Sequence, residues 1–135
     1  MQPLQPCAPI INPVFYTPMR HRVQKIKLGR DKEHTVSIMR NLAISLLINE
    51  KMETTEKKAK AVASFIDRVI TIGKKKDAMN AIRQLEKLLQ HPNSSKKIME
   101  ELVKRYEGRT SGFTTLHKVG YRKGDNAEVV QIQLI

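Results

Sequence analysis

The chain has 135 residues, 40% of them apolar and 28% charged, which suits a single domain with its own hydrophobic core and needs no disulfide or metal to hold it. Lys and Arg number 25 against 13 Asp and Glu, a formal charge of +12, so the surface repels itself unless a polyanion compensates it. Aromatic residues make up 4% and Trp is absent, which leaves the core to Leu, Ile, Val, Met and Ala.

Residues 1–18 hold five of the six prolines and no charged side chain. Proline lacks a backbone donor and disfavours helix in the residue before it, so this stretch is expected to be an extended or disordered extension, or not native to the protein. It lacks the Arg of an organelle presequence and the basic start of a secretory signal.

The positive charge begins abruptly after Met19. Residues 19–40 hold seven Lys or Arg against two acids, and residues 104–123 hold six against one. These two stretches, 42 residues together, carry +10 of the +12, a division that a uniformly solvated surface would not show. In residues 19–30 the basic side chains alternate with Val23, Ile26 and Leu28 without a helical period. The expectation is an extended basic arm that is neutralised by phosphate.

Asp31 is a good N-cap for a first helix running to about Asn49. Val36, Met39, Ala43, Leu46 and Leu47 keep the helical period, and Ile38, Leu42, Ile44 and Ile48 widen the apolar surface. This helix is expected to be buried on most sides and to form the core element. Lys51 to Thr54 reads as a short strand. Thr54 or Thr55 caps a second helix to about Ile72, with Ala59, Val62, Ala63, Ile66, Val69 and Ile70 inward and Gly73 in the left-handed position after it. Asp77 caps a third helix, and Ser94 or Ser95 opens a fourth that ends at Gly108.

The period then changes from helix to strand. Thr114 to Tyr121 is expected as a strand with His117, Val119 and Tyr121 on one face. Arg122 to Asn126 is turn chemistry, and Val130, Ile132 and Leu134 mark a half-buried return strand. The order α-β-α-α-α-β-β defines an α+β fold of two layers: a small three-stranded mixed sheet packed against helices, preceded by the arm. The domain boundaries are therefore 1–18 for the extension, 19–30 for the basic arm and 31–135 for a single globular domain.

Catalytic constellations are missing. There is no phosphate-binding glycine loop and no nucleophile elbow, and Cys7 is the lone cysteine and lies in the extension. His21, His34, His91 and His117 are dispersed and have no zinc-ligand spacing with it. No apolar run reaches the ~20 residues of a membrane span. The chain is expected to be no enzyme and to use no cofactor, metal, membrane or small-molecule substrate. A free basic DNA- or RNA-binding regulator is the alternative to a passive RNA clamp. A DNA reader, however, would gather its basic residues on one helix, and here they lie on an arm, a loop and a hairpin.

The ordered set Met19-Arg20-His21-Arg22, Leu28-Gly29-Arg30, His34, Arg40-Asn41-Leu42, Ser45-Leu46, Thr54-Thr55 and Lys58-Ala59-Lys60 is specific. So is its ending: Gly112-Phe113-Thr114, Lys118, Gly120, Arg122 and Gly124-Asp125-Asn126-Ala127, closing on Leu134. In these residues the chain resembles the bacterial-type large-subunit ribosomal protein family number seventeen over residues 19–135. It departs from the family pattern at Thr115, where a basic residue is common, at Ser111, where a second glycine is common, and at Gln133, where an acid is frequent.

The resemblance implies a structural constituent of a bacterial or bacterial-derived large subunit, near the peptide exit region. The implied partners are large-subunit ribosomal RNA and neighbouring ribosomal proteins, and the implied location is a bacterial cytoplasmic ribosome or an organelle ribosome. Arg20, Arg22, Lys25, Lys27 and Arg30 are expected to contact phosphate from the arm. Arg109, Lys118, Arg122 and Lys123 are expected to do so from the loop and hairpin. His21, Arg40, Asn41, Lys57 and Lys60 complete the candidate RNA contacts.

Overall fold

The structure is a computed structural model that describes residues 26–135. Helix α1 (Lys32–Asn49) starts where expected, with Asp31 at the N-cap position and its carbonyl accepting the Thr35 N–H at 2.9 Å. Glu50 ends the helix in the left-handed region at φ 63° while its N–H bonds to Leu46 O at 2.9 Å. That turn feeds directly into β1 (Lys51–Thr55), and Thr55 is the N-cap of α2 (Glu56–Lys75). Helix α3 (Ala78–Leu89) follows Asp77.

The next helix opens earlier than the Ser94/Ser95 expectation. Pro92 occupies the first turn of α4 (Pro92–Lys97), where its missing N–H costs nothing. His91 is the cap: its Nδ1 accepts the Ser94 N–H at 3.2 Å. Ser94 and Ser95 are buried inside the helix. The helix continues through a π-helical turn (Ile98–Leu102) into α5 (Val103–Arg105), which stops short of Gly108. Counted as one, these three pieces preserve the expected element order, and the fold is α+β.

Strands β2 (Thr114–Tyr121) and β3 (Glu128–Leu134) form the expected hairpin. The sheet order is β1-β3-β2, and both ladders are antiparallel, so the sheet is not mixed. The reason is position: β3 lies between two strands that run the same way, so β1 and β2 never meet to make a parallel ladder. Met52, Ile132 and Leu116 share one face, as do Thr54, Val130 and Lys118. Leu134, Ile132 and Val130 are buried on that face, as their alternation requires.

The expected common face of His117, Val119 and Tyr121 does not form. A bulge lies between Lys118 and Gly120. His117 opposes Gln131 on the outer face, and Tyr121 opposes Glu128 on the inner one. One extra residue reverses every side chain beyond it. Gly120 adopts φ 152°, which a side chain would disfavour.

The core element is α2 rather than α1. Ala59, Val62, Ile66, Val69, Ile70 and Gly73 of α2 are all buried, and the helix packs on α1, α3, α5, the π-helical turn and all three strands. In α1 only Ala43, Leu46 and Leu47 are buried, while Val36 and Ile48 stay 49% and 47% exposed. An all-round apolar helix has no preferred inward stripe, whereas the sharper stripe of α2 selects a single one. Gly73 is part of that stripe and not a cap. A Cβ there would lie 3.2 Å from Cγ2 of both Ile98 and Val103, so glycine lets the fourth helix approach.

Candidate nucleic-acid interface

Lys27 and Arg30 are exposed and lead into α1, with Gly29 at φ 66° between them. They line one depression together with Lys57 and Lys58 of the first turn of α2. A second depression adjoins it, shares Thr55 and Lys57, and is bounded by Ala127 and Glu128 at the base of the hairpin. Tertiary packing therefore brings the arm, the first turn of α2 and the base of the hairpin together at the N-terminal end of α2, with cations supplied by the first two. Lys58 was not among the expected contacts, although it sits beside Lys57 on the same helical turn.

Acids temper this region. Lys118 Nζ lies 2.7 Å from Glu128 Oε1, and Lys60 Nζ lies 2.5 Å from Glu56 Oε1. Hydrogen bonding to Glu128 raises the Lys118 pKa. Hydrogen bonding to Lys60, with the charges of Lys60 and Lys118, lowers that of Glu56. Each lysine is already paired.

Arg122 is also held. Its Nε and Nη2 donate to the two carboxylate oxygens of Asp125 at 3.0 and 2.5 Å, and its N–H donates to Ala127 O at 2.9 Å. The guanidinium and the Ala127 N–H hold the Asp125 carboxyl down at about 2. Lys123 is exposed in the same turn and, among the described residues, makes no ion pair.

Arg109 is exposed but stands apart, beside the other end of α2. Lys57 and Lys74 are about 25 Å apart along that helix at 1.5 Å per residue, and Lys74 is the one that touches the Arg109 backbone. Its Nζ donates to the carbonyls of Tyr106 at 2.6 Å, of Glu107 at 3.3 Å and of Arg109. It also lies 5.8 Å from the centre of the Phe113 ring. Lys74 thus acts as a loop clamp.

Arg40 is half-buried, and its Nε donates to Leu88 O at 3.0 Å, tying α1 to the end of α3. Asn41 is exposed next to it. Arg20, His21, Arg22 and Lys25 lie outside the described residues, as does the extension of residues 1–18.

Two further cations serve the fold. Lys97 and Arg105 converge on Glu50 Oε1 at 3.2 and 3.1 Å. Arg105 first and Lys97 second lower the Glu50 pKa. No local signal in the sequence pairs residues so far apart. Thr115 and Gln133, two of the positions that depart from the family pattern, are direct cross-strand partners.

Among the described residues no group of three or more His, Cys, Asp or Glu could hold a metal ion, and no helix is long and apolar enough to cross a membrane. A basic α+β domain whose cations gather at one end of a central helix has the electrostatic footprint of the nucleic-acid-binding class of proteins. The family model for ribosomal protein L17 matches residues 38–135, and the chain belongs to that family. It is 42% identical over 118 residues to the large ribosomal subunit protein bL17 of Hydrogenobaculum sp., covering 87% of this chain and 99% of the relative. It is 41% identical over 117 residues to that of Syntrophotalea carbinolica, covering 87% and 75%. With that of Aliarcobacter butzleri the figures are 38%, 87% and 100%.

Proposed function

We propose that the protein is a structural constituent of the large ribosomal subunit that binds and braces large-subunit ribosomal RNA and catalyses nothing. Family membership supports the ribosomal role, and the relatives' bacterial sources favour a bacterial ribosome in the cytoplasm. The observation that carries the RNA-binding reading is the pair of adjoining depressions in which Lys27, Arg30, Lys57 and Lys58 meet the base of the hairpin. Cations drawn from the arm and from the first turn of α2 match crowded phosphates from more than one RNA segment. Arg forks take phosphate bidentately and Lys acts as a point charge. Recognition is of backbone and shape more than of base sequence.

In this reading residues 19–30 are the arm, so Arg20, His21, Arg22 and Lys25 bind the same RNA. Residues 31–135 are the body, and residues 1–18 take no part. Lys123 and Arg109 contact phosphate as free cations, whereas Lys60, Lys118 and Arg122 do so while shared with their acids. Asn41 and Arg40 contribute from α1. Neighbouring large-subunit ribosomal proteins cover surface that RNA does not.

The test is incorporation into large subunits, followed on sucrose gradients. Reversing Arg30 and Lys57 to Glu, or Arg20 and Arg22 to Glu, is expected to move the protein from the subunit peak to the top of the gradient. The circular dichroism of the domain is expected to stay unchanged. Full incorporation of both double variants would sink this assignment of the surface.

A further inference from the structure

Beside that surface, α1, α2 and α3 enclose a groove of a different character, and Val36 on its rim also lines a depression with Lys27 and Arg30. Val36, Phe65, Ile72 and Leu88 supply its apolar part. Arg40, Arg68 and Lys87 supply its charges, and among the described residues no carboxylate lines it. Phe65 and Arg68 are also shared with an adjoining groove that reaches Leu28 and Met39. Phe65, Ile72 and Leu88 are half-buried, and Val36 is 49% exposed, so the core leaves this apolar surface partly open. Arg40 is fixed here by its Nε bond to Leu88 O, which leaves its terminal nitrogens to an occupant of the groove.

We propose that this groove is a second RNA site that takes an unstacked, single-stranded nucleotide of the ribosomal RNA, with its base against Phe65 and its phosphate among Arg40, Arg68 and Lys87. The inference rests on the rRNA-binding reading above and adds a site with its own selectivity. An occupant must bring a flat apolar body and negative charge together. A nucleotide out of its helix has both, because every base has a π-face and every linkage a phosphate. Duplex RNA has the phosphates but keeps its base faces stacked, so it leaves the apolar part of the groove unused. The chain's net +12 and the lack of a lining carboxylate oppose a basic protein segment.

Ultraviolet cross-linking of large subunits containing the full chain, with peptide mass spectrometry, tests the site. A nucleotide attached to the peptide carrying Phe65 is the expected result. RNA cross-links confined to peptides carrying Lys27, Arg30 or Lys57, or a Phe65 peptide linked to another protein, would overturn the site and leave the rRNA reading standing. No rRNA cross-link anywhere would remove both.

In a binding assay, Phe65→Leu and Arg68→Gln are each expected to weaken a 12-nucleotide oligouridylate about tenfold, with little effect on a duplex of equal length. Arg68→Gln alters an exposed side chain and serves if Phe65→Leu fails to fold. Equal loss on both RNAs would mean general electrostatics and overturn the proposal.

Discussion

Asp67 and Lys74 stand two turns apart on one face of α2 and hold the two ends of the segment that carries Arg109. Asp67 Oδ1 accepts the Phe113 N–H at 3.1 Å, and Lys74 Nζ gathers the carbonyls of Tyr106, Glu107 and Arg109. Tyr106 adds a third tie, its hydroxyl donating to Ile135 O at 2.6 Å. A loop held this way reaches RNA already ordered, which lowers the entropic cost of binding through Arg109.

Lys74→Met is accordingly expected to destabilise the domain by about 2 kcal/mol in urea unfolding, because charge-assisted bonds to three carbonyls are lost. Amide exchange across residues 107–112 should quicken. Asp67→Ala should cost about 1 kcal/mol, and Asp67→Asn less, since an amide oxygen still accepts the Phe113 N–H. Unchanged exchange in the loop of the Lys74 variant would show that the clamp does not order it.

Arg122 and Lys123 are neighbours with different expected effects. Lys123→Gln should reduce the salt slope of RNA binding by about one and leave the melting temperature alone. Arg122→Gln should lower the melting temperature, because it releases Asp125 and loosens the turn. Salt titrations and thermal unfolding of the two variants check this, and identical behaviour would contradict it.

The Asp125 carboxyl gives the hairpin a pH dependence with a definite sign. Its folded value, about 2, lies below the ordinary value near 4. The unfolded chain therefore takes up the proton first as pH falls. The stabilising contribution is complete above about pH 4 and is lost as pH drops through about 2. A carboxyl NMR titration should find Asp125 ionised at pH 3, and Arg122→Gln should return it toward the ordinary range. A midpoint near 4 in the unaltered protein would contradict the pairing.

Gly73→Val tests the close approach of the fourth helix to α2. Its branched side chain meets Ile98 and Val103 where even a Cβ is already 3.2 Å away. Overpacking of this kind costs about 1–3 kcal/mol, more than the gain in helix propensity returns. Chemical denaturation gives the figure. A stabilised variant would show that the fourth helix shifts freely.

Much of this was legible along the chain. Asp31, Thr55 and Asp77 stand at the N-cap positions assigned to them. The alternation of Val130, Ile132 and Leu134 foretold which face of β3 is buried. These signals are local: a cap acts within one turn, and strand alternation is set by the pleat. The errors have non-local causes. Gly73 looked like a helix end because nothing nearby shows that the fourth helix will press on it. Tyr121 and His117 looked like companions because a bulge is decided by the partner strand.

By itself, the sequence determined the α+β order, the inward stripe of α2 and the concentration of charge in two stretches, since propensity, periodicity and composition are properties of neighbouring residues. Only the tertiary structure decided which cations gather, at Lys27, Arg30, Lys57 and Lys58, and which are taken up by Glu50 and Glu128. Ion pairing and surface clustering depend on distances of a few ångströms between residues as far apart as Arg30 and Lys57, or Glu50 and Arg105. Those distances exist only once α2 has collected the other elements around it.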